Sequence, residues 1–434
     1  MSVIRDLRHL LRGSGFRKLA ATRLISQLGD GMFQAGLASL LFFDPTKQAT
    51  AGSIALGFFL LLAPFTLVGP FVGPLIDRWQ RQRIILVGNL VRVALAALLG
   101  FLMVTHGPAG ILYVAAVLTL SINRFLLAAM AAAIPRVVAD EDLLAANAIL
   151  PTLGTIAAAL GAGIGVVVAF LAPNLGDNQS ALAALLASGA VFALSSWTAT
   201  ALGRRELGPV EPLDSSKVKE QMADLLRGLR DGARYLARRL TPAQAVLVMA
   251  AQRLLYGLMF VASILISREL LSGPDDAQGG LGAFGLVLGF AAVGFGLAAV
   301  LTPALGHLVP RHRWVVWCLL VGAAGQALLA ASHSRWALLS AAVVVSFAVQ
   351  GGKIAVDTIV QRDTEDAVRG RAFSLYDVAY NVAFVSAAGI AVIVLPDSGY
   401  SRPVMGGMVI AYLLVAALYA LAPKEPRPLA RAAT

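Results

Sequence analysis

The chain has 434 residues, 58% of them hydrophobic and only 14% charged, with a formal net charge of +11. That balance excludes an ordinary soluble domain, and one cysteine, Cys318, excludes an intrachain disulfide and a cysteine-built metal site. A positive charge of this size would suggest nucleic acid in a soluble protein, but here it must first be placed along the chain.

A bilayer-spanning helix needs about 20 mostly apolar residues. Runs of that kind fall at 19–43, 52–76, 84–105, 111–134, 145–171 and 181–203, then at 244–267, 282–305, 314–331, 336–360, 373–395 and 403–422. The expected fold class is therefore all-α integral membrane, with twelve transmembrane helices in two six-helix halves, 1–203 and 244–434. The first run is too long for the core of a cleaved signal peptide and is read as a retained helix. Between the halves, 204–243 repeats Val218, Met222, Leu225, Leu229, Ala233, Leu236 and Leu240 at helical spacing among basic residues, the pattern of an amphipathic helix lying on a membrane surface.

With the N-terminus placed inside, 26 of the 35 Lys and Arg fall on that side of the membrane. Only Lys47, Arg268, Arg335 and Arg402 fall outside. The positive-inside rule then makes both termini and the linker cytoplasmic. Anionic phospholipids account for the basic balance, and neither nucleic acid nor nucleotide is expected as a partner.

Ionisable groups within the spans carry the functional reading, because a charge at mid-bilayer costs roughly 3 kcal/mol on insertion scales. They are Asp30 in the first span, Arg92 in the third, Arg124 in the fourth, Arg253 in the seventh, Lys353 and Asp357 in the tenth and Asp377 in the eleventh. With Gln27, Gln34, Asn89, Asn123, Gln252, Gln350 and Asn381 they should line a water-accessible polar path or pair with one another. Lys353, Asp357 and Asp377, nearer membrane ends, read as ion pairs of an inner gate. Asp30 and Arg253 fall near the middle of the first span of their respective halves. A carboxylate in a poorly solvated cavity can exchange a proton near neutral pH, which is the chemistry of coupling.

The loop after the second span reads Gly73-Pro-Leu-Ile-Asp77-Arg78-Trp-Gln-Arg81-Gln-Arg83. It resembles the signature of the major facilitator superfamily, with Gln80 in place of the second glycine. A decayed second copy, Gly306 to Arg313, follows the eighth span. Leu120-Ser-Ile-Asn-Arg124 resembles the superfamily's exporter motif without its Gln and Gly, and Gly154, Gly161, Gly163 and Gly165 resemble its antiporter motif without the proline. The segment Gln27-Leu-Gly-Asp30-Gly is similar to one in the drug and siderophore exporter branch. The glycines are also what close helix packing alone would require.

What the resemblance implies is a secondary transporter working by alternating access, most simply a proton-coupled exporter of small amphipathic molecules, drug-like or siderophore-like. Asp30 would bind a proton or a cationic group. Arg253 would pair with Asp30 or with an anionic group of the substrate, while Arg92 and Arg124 would tune or relay charge. Gln27 and Gln34 join this binding set, and Gly73, Asp77, Arg78 and Arg81 would form a conformational latch. The alternatives are a transporter of lysophospholipid or glycolipid on the same fold and, more remotely, a membrane-embedded transferase, for which no nucleophile or histidine stands at a recognisable spacing. No cofactor is expected, the proton gradient being the energy source: Gly351-Gly352-Lys353 lacks the spacing of a phosphate loop. The expected state is a monomer in a bacterial inner membrane.

Overall fold

The computed structural model describes residues 3–42, 52, 57, 79–105, 107–139, 142–170, 177–208, 223–224, 227–228, 230–235, 238–273, 276–305, 308–364 and 366–423. By contacts the chain divides into two compact units, Met1–Asp44 with Leu60–Asp224, and Pro45–Phe59 with Leu225–Thr434.

The first unit opens with a short amphipathic helix α1 (Val3–Leu10), then α2 (Ser14–Phe42), α3 (Arg81–Val104), α4 (Ala109–Val137), α5 (Leu143–Phe170) and α6 (Asp177–Thr200). The second contains α7 (Leu240–Ile266), continued by a π-helical turn Ser267–Ser272, then α8 (Ala277–Leu305), α9 (Arg311–Ala331), α10 (Arg335–Asp363), α11 (Asp366–Val394) and α12 (Arg402–Leu421). Among the described residues, ten helices, α3 to α12, are long and apolar enough to cross a membrane. Helix α2 has 29 residues but carries Arg17, Lys18, Arg23 and Asp30, and is not one of the ten. The expected second span, 52–76, lies outside the described residues except for positions 52 and 57, as do most of the linker's apolar positions.

Helix ends run past the apolar runs that announce them. Helix α10 begins at Arg335, capped by the Ser334 side chain accepting from the Ala337 N–H at 3.3 Å, and continues to Asp363. Hydropathy ends where charge begins, whereas backbone hydrogen bonding continues until a cap or a break stops it.

Burial departs from that of a soluble protein at both the surface and the interior, although the core is still mostly apolar. Large apolar side chains such as Trp197, Leu247, Ile393 and Leu421 stand exposed, while Thr22, Ser26, Asp30, Asn89, Arg92 and Asn123 are buried. That is the pattern of helices whose outer faces meet lipid and whose polar groups must find partners inside.

Within the first unit α2 packs on α5 and α6, and α3 on α4 and α6; within the second, α7 packs on α11, and α9 on α10 and α12. Counting α2 and α7 as the first spans of their halves, span one meets span five, and span three meets spans four and six, in both units. The two halves repeat one another in packing as well as in order. At one end of the first unit Leu10, Phe16, Leu19, Ile84, Met130, Ile134, Leu150, Leu202 and Leu207 close a common core.

Candidate functional site

Six polar side chains of α2, at Thr22, Arg23, Ser26, Gln27, Asp30 and Gln34, follow helical spacing and lie along one side of an otherwise apolar helix. Ser26, Gln27 and Asp30 of this stripe bond to α3 and α4, and Arg23 lies against α5.

Asp30 stands at its centre, 2% exposed, its Oδ1 2.5 Å from the Nη2 of a fully buried Arg92 on α3. Its Oδ2 accepts from Asn123 Nδ2 of α4 at 2.6 Å and from Gln34 Nε2 of α2 at 2.9 Å. Gln27 Nε2 reaches Asn123 Oδ1 at 3.4 Å, and Arg124 of α4 lies within electrostatic range of the carboxylate. The second arm of Arg92 donates to Ser26 Oγ at 3.3 Å, Ser26 donates to Asn89 Oδ1 at 3.2 Å, and Asn89 Nδ2 donates to Ser195 Oγ at 3.2 Å. Ser195 in turn donates to the carbonyl of Thr22 at 3.0 Å, closing the chain of bonds back onto α2. Phe192 of α6 covers the Arg92 guanidinium, with Cζ 3.7 Å from the ring centroid. The same ring presses on Gly29, where an added Cβ would sit 2.8 Å from it.

Of the sequence-predicted residues, Asp30, Arg92, Arg124, Gln27 and Gln34 therefore converge. Of the two arrangements expected of the ionisable groups, a water-accessible path or pairing with one another, Asp30 shows the second: its carboxylate is enclosed and paired with Arg92. Ser26, Ser195, Phe192 and Arg23 were not anticipated. Arg23 is buried at 7% exposure, with its Nε and Nη1 lacking acceptors and its guanidinium against Gly154. The regular polar stripe on α2 was the signal that could have found both Ser26 and Arg23.

The glycines of α5 serve packing. A Cβ on Gly161 would lie 2.0 Å from the Leu28 carbonyl oxygen, and one on Gly31 would lie 1.9 Å from that of Ala158, so α2 and α5 touch backbone to backbone. Gly163 has open space instead. Of the latch, Gly73, Asp77 and Arg78 lie outside the described residues. Arg81 is described. Its Nη1 donates to the carbonyls of Ala132 and Leu207, each at 3.0 Å, and its backbone N–H donates to that of Gly208. Gly208 makes this turn with φ +72°, a conformation that favours glycine.

In the second unit Arg253 projects from α7 among rings, its Cζ 3.6 Å from the centroid of Phe384, 4.4 Å from Tyr380 and 5.3 Å from Tyr256. Lys353 pairs with Asp357 at 2.7 Å, one turn further along the same helix. Both partners sit on α10, so this pair lies within one helix; Asp377 on α11 is exposed, within electrostatic range of Lys353. Cys318 is buried against Gly351.

No family model matches the chain. Among curated proteins, an uncharacterised MFS-type transporter of Mycobacterium tuberculosis is 31% identical over 392 residues, covering 89% of this chain and 86% of the relative, and one of Mycobacterium bovis matches equally. The chain belongs to the major facilitator superfamily. Solved structures agree on the fold: a bacterial homologue of the iron transporter ferroportin in an inward-facing state (TM-score 0.68, 15% identity, 97% of this chain and 99% of that one) and a nucleoside transporter (TM-score 0.68, 13% identity, 93% and 97%). A POT family transporter in complex with a thioalcohol-conjugated peptide superposes with a TM-score of 0.69 at 12% identity, over 93% of this chain and 96% of that one. This major facilitator protein is thus an all-α, multi-pass membrane protein and a secondary transporter, and its relatives and structural neighbours are transporters rather than enzymes.

Proposed function

We propose that this major facilitator protein is a proton-coupled exporter of small amphipathic molecules in a bacterial plasma membrane, with both termini cytoplasmic, working by alternating access. The observation that carries the reading is the enclosed Asp30–Arg92 pair, which joins α2 to α3 and, through Asn123, to α4. A proton arriving on Asp30 removes the negative half of that pair. Arg92 is then left buried without a counter-charge, a state that costs several kcal/mol and is relieved only by moving the helices or admitting water. Protonation and helix movement are linked in this way, as coupling requires.

The test is efflux of a panel of lipophilic cations, neutral molecules and anions from a host stripped of its own pumps, with and without a protonophore. Gradient-dependent efflux by wild type, lost in Asp30→Asn with Arg92→Gln, is expected. Because Asp30→Asn alone strands Arg92, the double variant keeps the comparison free of a folding defect. Efflux that persists when the gradient is collapsed, or that the double variant retains, would remove Asp30 from the mechanism.

A further inference from the structure

Arg92 and Arg253 both project into helix bundles, Arg92 fully buried and Arg253 partly exposed, and they are compensated in opposite ways. Arg92 meets a carboxylate. Arg253 meets aromatic faces: its electrostatic neighbours are Tyr380, Tyr256 and Tyr376, and among the described residues no carboxylate lies within ion-pairing distance of it. Its Nε is sealed from solvent and, among the described residues, has no acceptor.

Ring faces cannot satisfy an arginine fully. They lie above and below the guanidinium plane, whereas its five N–H donors point outward in that plane. A cation–π contact returns about 0.5–2 kcal/mol, less than the several kcal/mol that burying an ion takes away. What completes the arrangement is a planar oxyanion, which accepts two parallel N–H bonds from the guanidinium edge.

The surroundings specify more than charge. Tyr256 and Phe384 stack at 5.9 Å and 22°, Phe260 stands edge-on to Phe384 at 6.0 Å and to Phe284 at 5.5 Å, and Phe295 meets Tyr256 at 6.1 Å. Helices α7, α8 and α11 thus build a continuous aromatic wall leading away from one cation. Tyr380 also neighbours Lys353, whose ammonium is 5.8 Å from that ring and already engaged by Asp357, with Asp377 also in electrostatic range. The nearby acids answer Lys353, and none of the described carboxylates pairs with Arg253.

We propose that Arg253, with Tyr380, Tyr256 and Phe384, is a substrate subsite for amphipathic aromatic carboxylates, the guanidinium taking the carboxylate and the rings taking the planar body. This rests on the transport reading and narrows it from amphipathic molecules in general to anionic aromatic ones.

The experiment is binding of 1-naphthoate and of 1-naphthylmethylammonium, probes of like shape and opposite charge, to full-length protein purified in a neutral detergent, followed by saturation-transfer NMR and calorimetry. Wild type is expected to bind the anion at least about tenfold more tightly than the cation. Arg253→Gln should lose about tenfold or more of the affinity for naphthoate, the loss typical of one charge-assisted hydrogen-bonded pair, with Arg253→Lys between the two. Equal affinity for both probes in wild type would overturn the proposal, and that arm needs no variant to fold. Undiminished naphthoate binding by Arg253→Gln would overturn it as well. Binding is read without a gradient, so failure here leaves the coupling test at Asp30 standing, and failure of coupling leaves this result standing.

Discussion

Asp30 and Arg92 make one structural unit, so each is expected to be costly to remove alone. Asp30→Asn strands a fully buried guanidinium, and Arg92→Gln strands the carboxylate; each should lower stability by about 3–5 kcal/mol. Asp30→Asn combined with Arg92→Gln removes both charges and should recover most of that loss. Thermal unfolding of the purified protein in detergent, compared across the three variants, checks this. Strictly additive losses would mean that the two groups do not interact. Arg81 answers differently, because its guanidinium holds two backbone carbonyls that flank the start of α3. Arg81→Lys keeps the charge but not the planar guanidinium that sets Nη1 between the two carbonyls. If the residue acts as this clamp, the lysine variant should lose about 1–3 kcal/mol, with insertion into the membrane unchanged; a variant as stable as wild type would leave it with only a charge-placing role.

Helix α5 carries glycines of two kinds, and the contrast between them is testable. Gly161→Ala would drive a methyl into the Leu28 carbonyl, and Gly31→Ala one into that of Ala158. Each should lower stability by roughly 1–3 kcal/mol or more, since backbone cannot yield as a side chain can. Gly163→Ala meets open space and gains helix propensity, so it should stay within about 1 kcal/mol of wild type or rise above it. Melting temperatures decide the matter: a loss at Gly163 as large as at Gly161 would mean that the glycines serve movement rather than close contact. The sequence presents all of these positions alike, because glycine spacing marks a face without telling which residue on it touches a neighbour. Helix α2 poses a similar limit. Its polar stripe was visible as residue types, but that Arg92 meets Asp30 depends on the tertiary arrangement that brings α3 to α2, which no spacing within either helix encodes.

At the scale of the whole chain, the ten spans from α3 to α12 were legible because lipid imposes one simple demand, a long apolar run with its backbone bonded internally. What the runs left out was the charged or polar turn at helix ends, at Arg81, Arg335 and the stretch from Asp366 to Phe373, where helix continues without hydropathy. The aromatic setting of Arg253 was hidden for the opposite reason: Phe260, Phe284, Phe295 and Phe384 read as ordinary apolar filling until α7, α8 and α11 are brought together. Orientation in the membrane rests on charge placement, and the protein supplies a clean way to test it. Its single cysteine, Cys318, is 1% exposed against Gly351, so the native thiol should give little background with a membrane-impermeant maleimide. Ala201, just past the end of α6, and Ala331, at the end of α9, are both exposed and small, so a cysteine at either disturbs no packing. With the N-terminus inside, α6 ends at the cytoplasmic face and α9 at the outer face, because each span reverses the direction of the one before. Intact cells should therefore label Ala331→Cys and leave Ala201→Cys unlabelled until the membrane is opened. The reverse pattern would place both termini outside, and would mean that the 26 basic residues lie on the face that the positive-inside rule denies them.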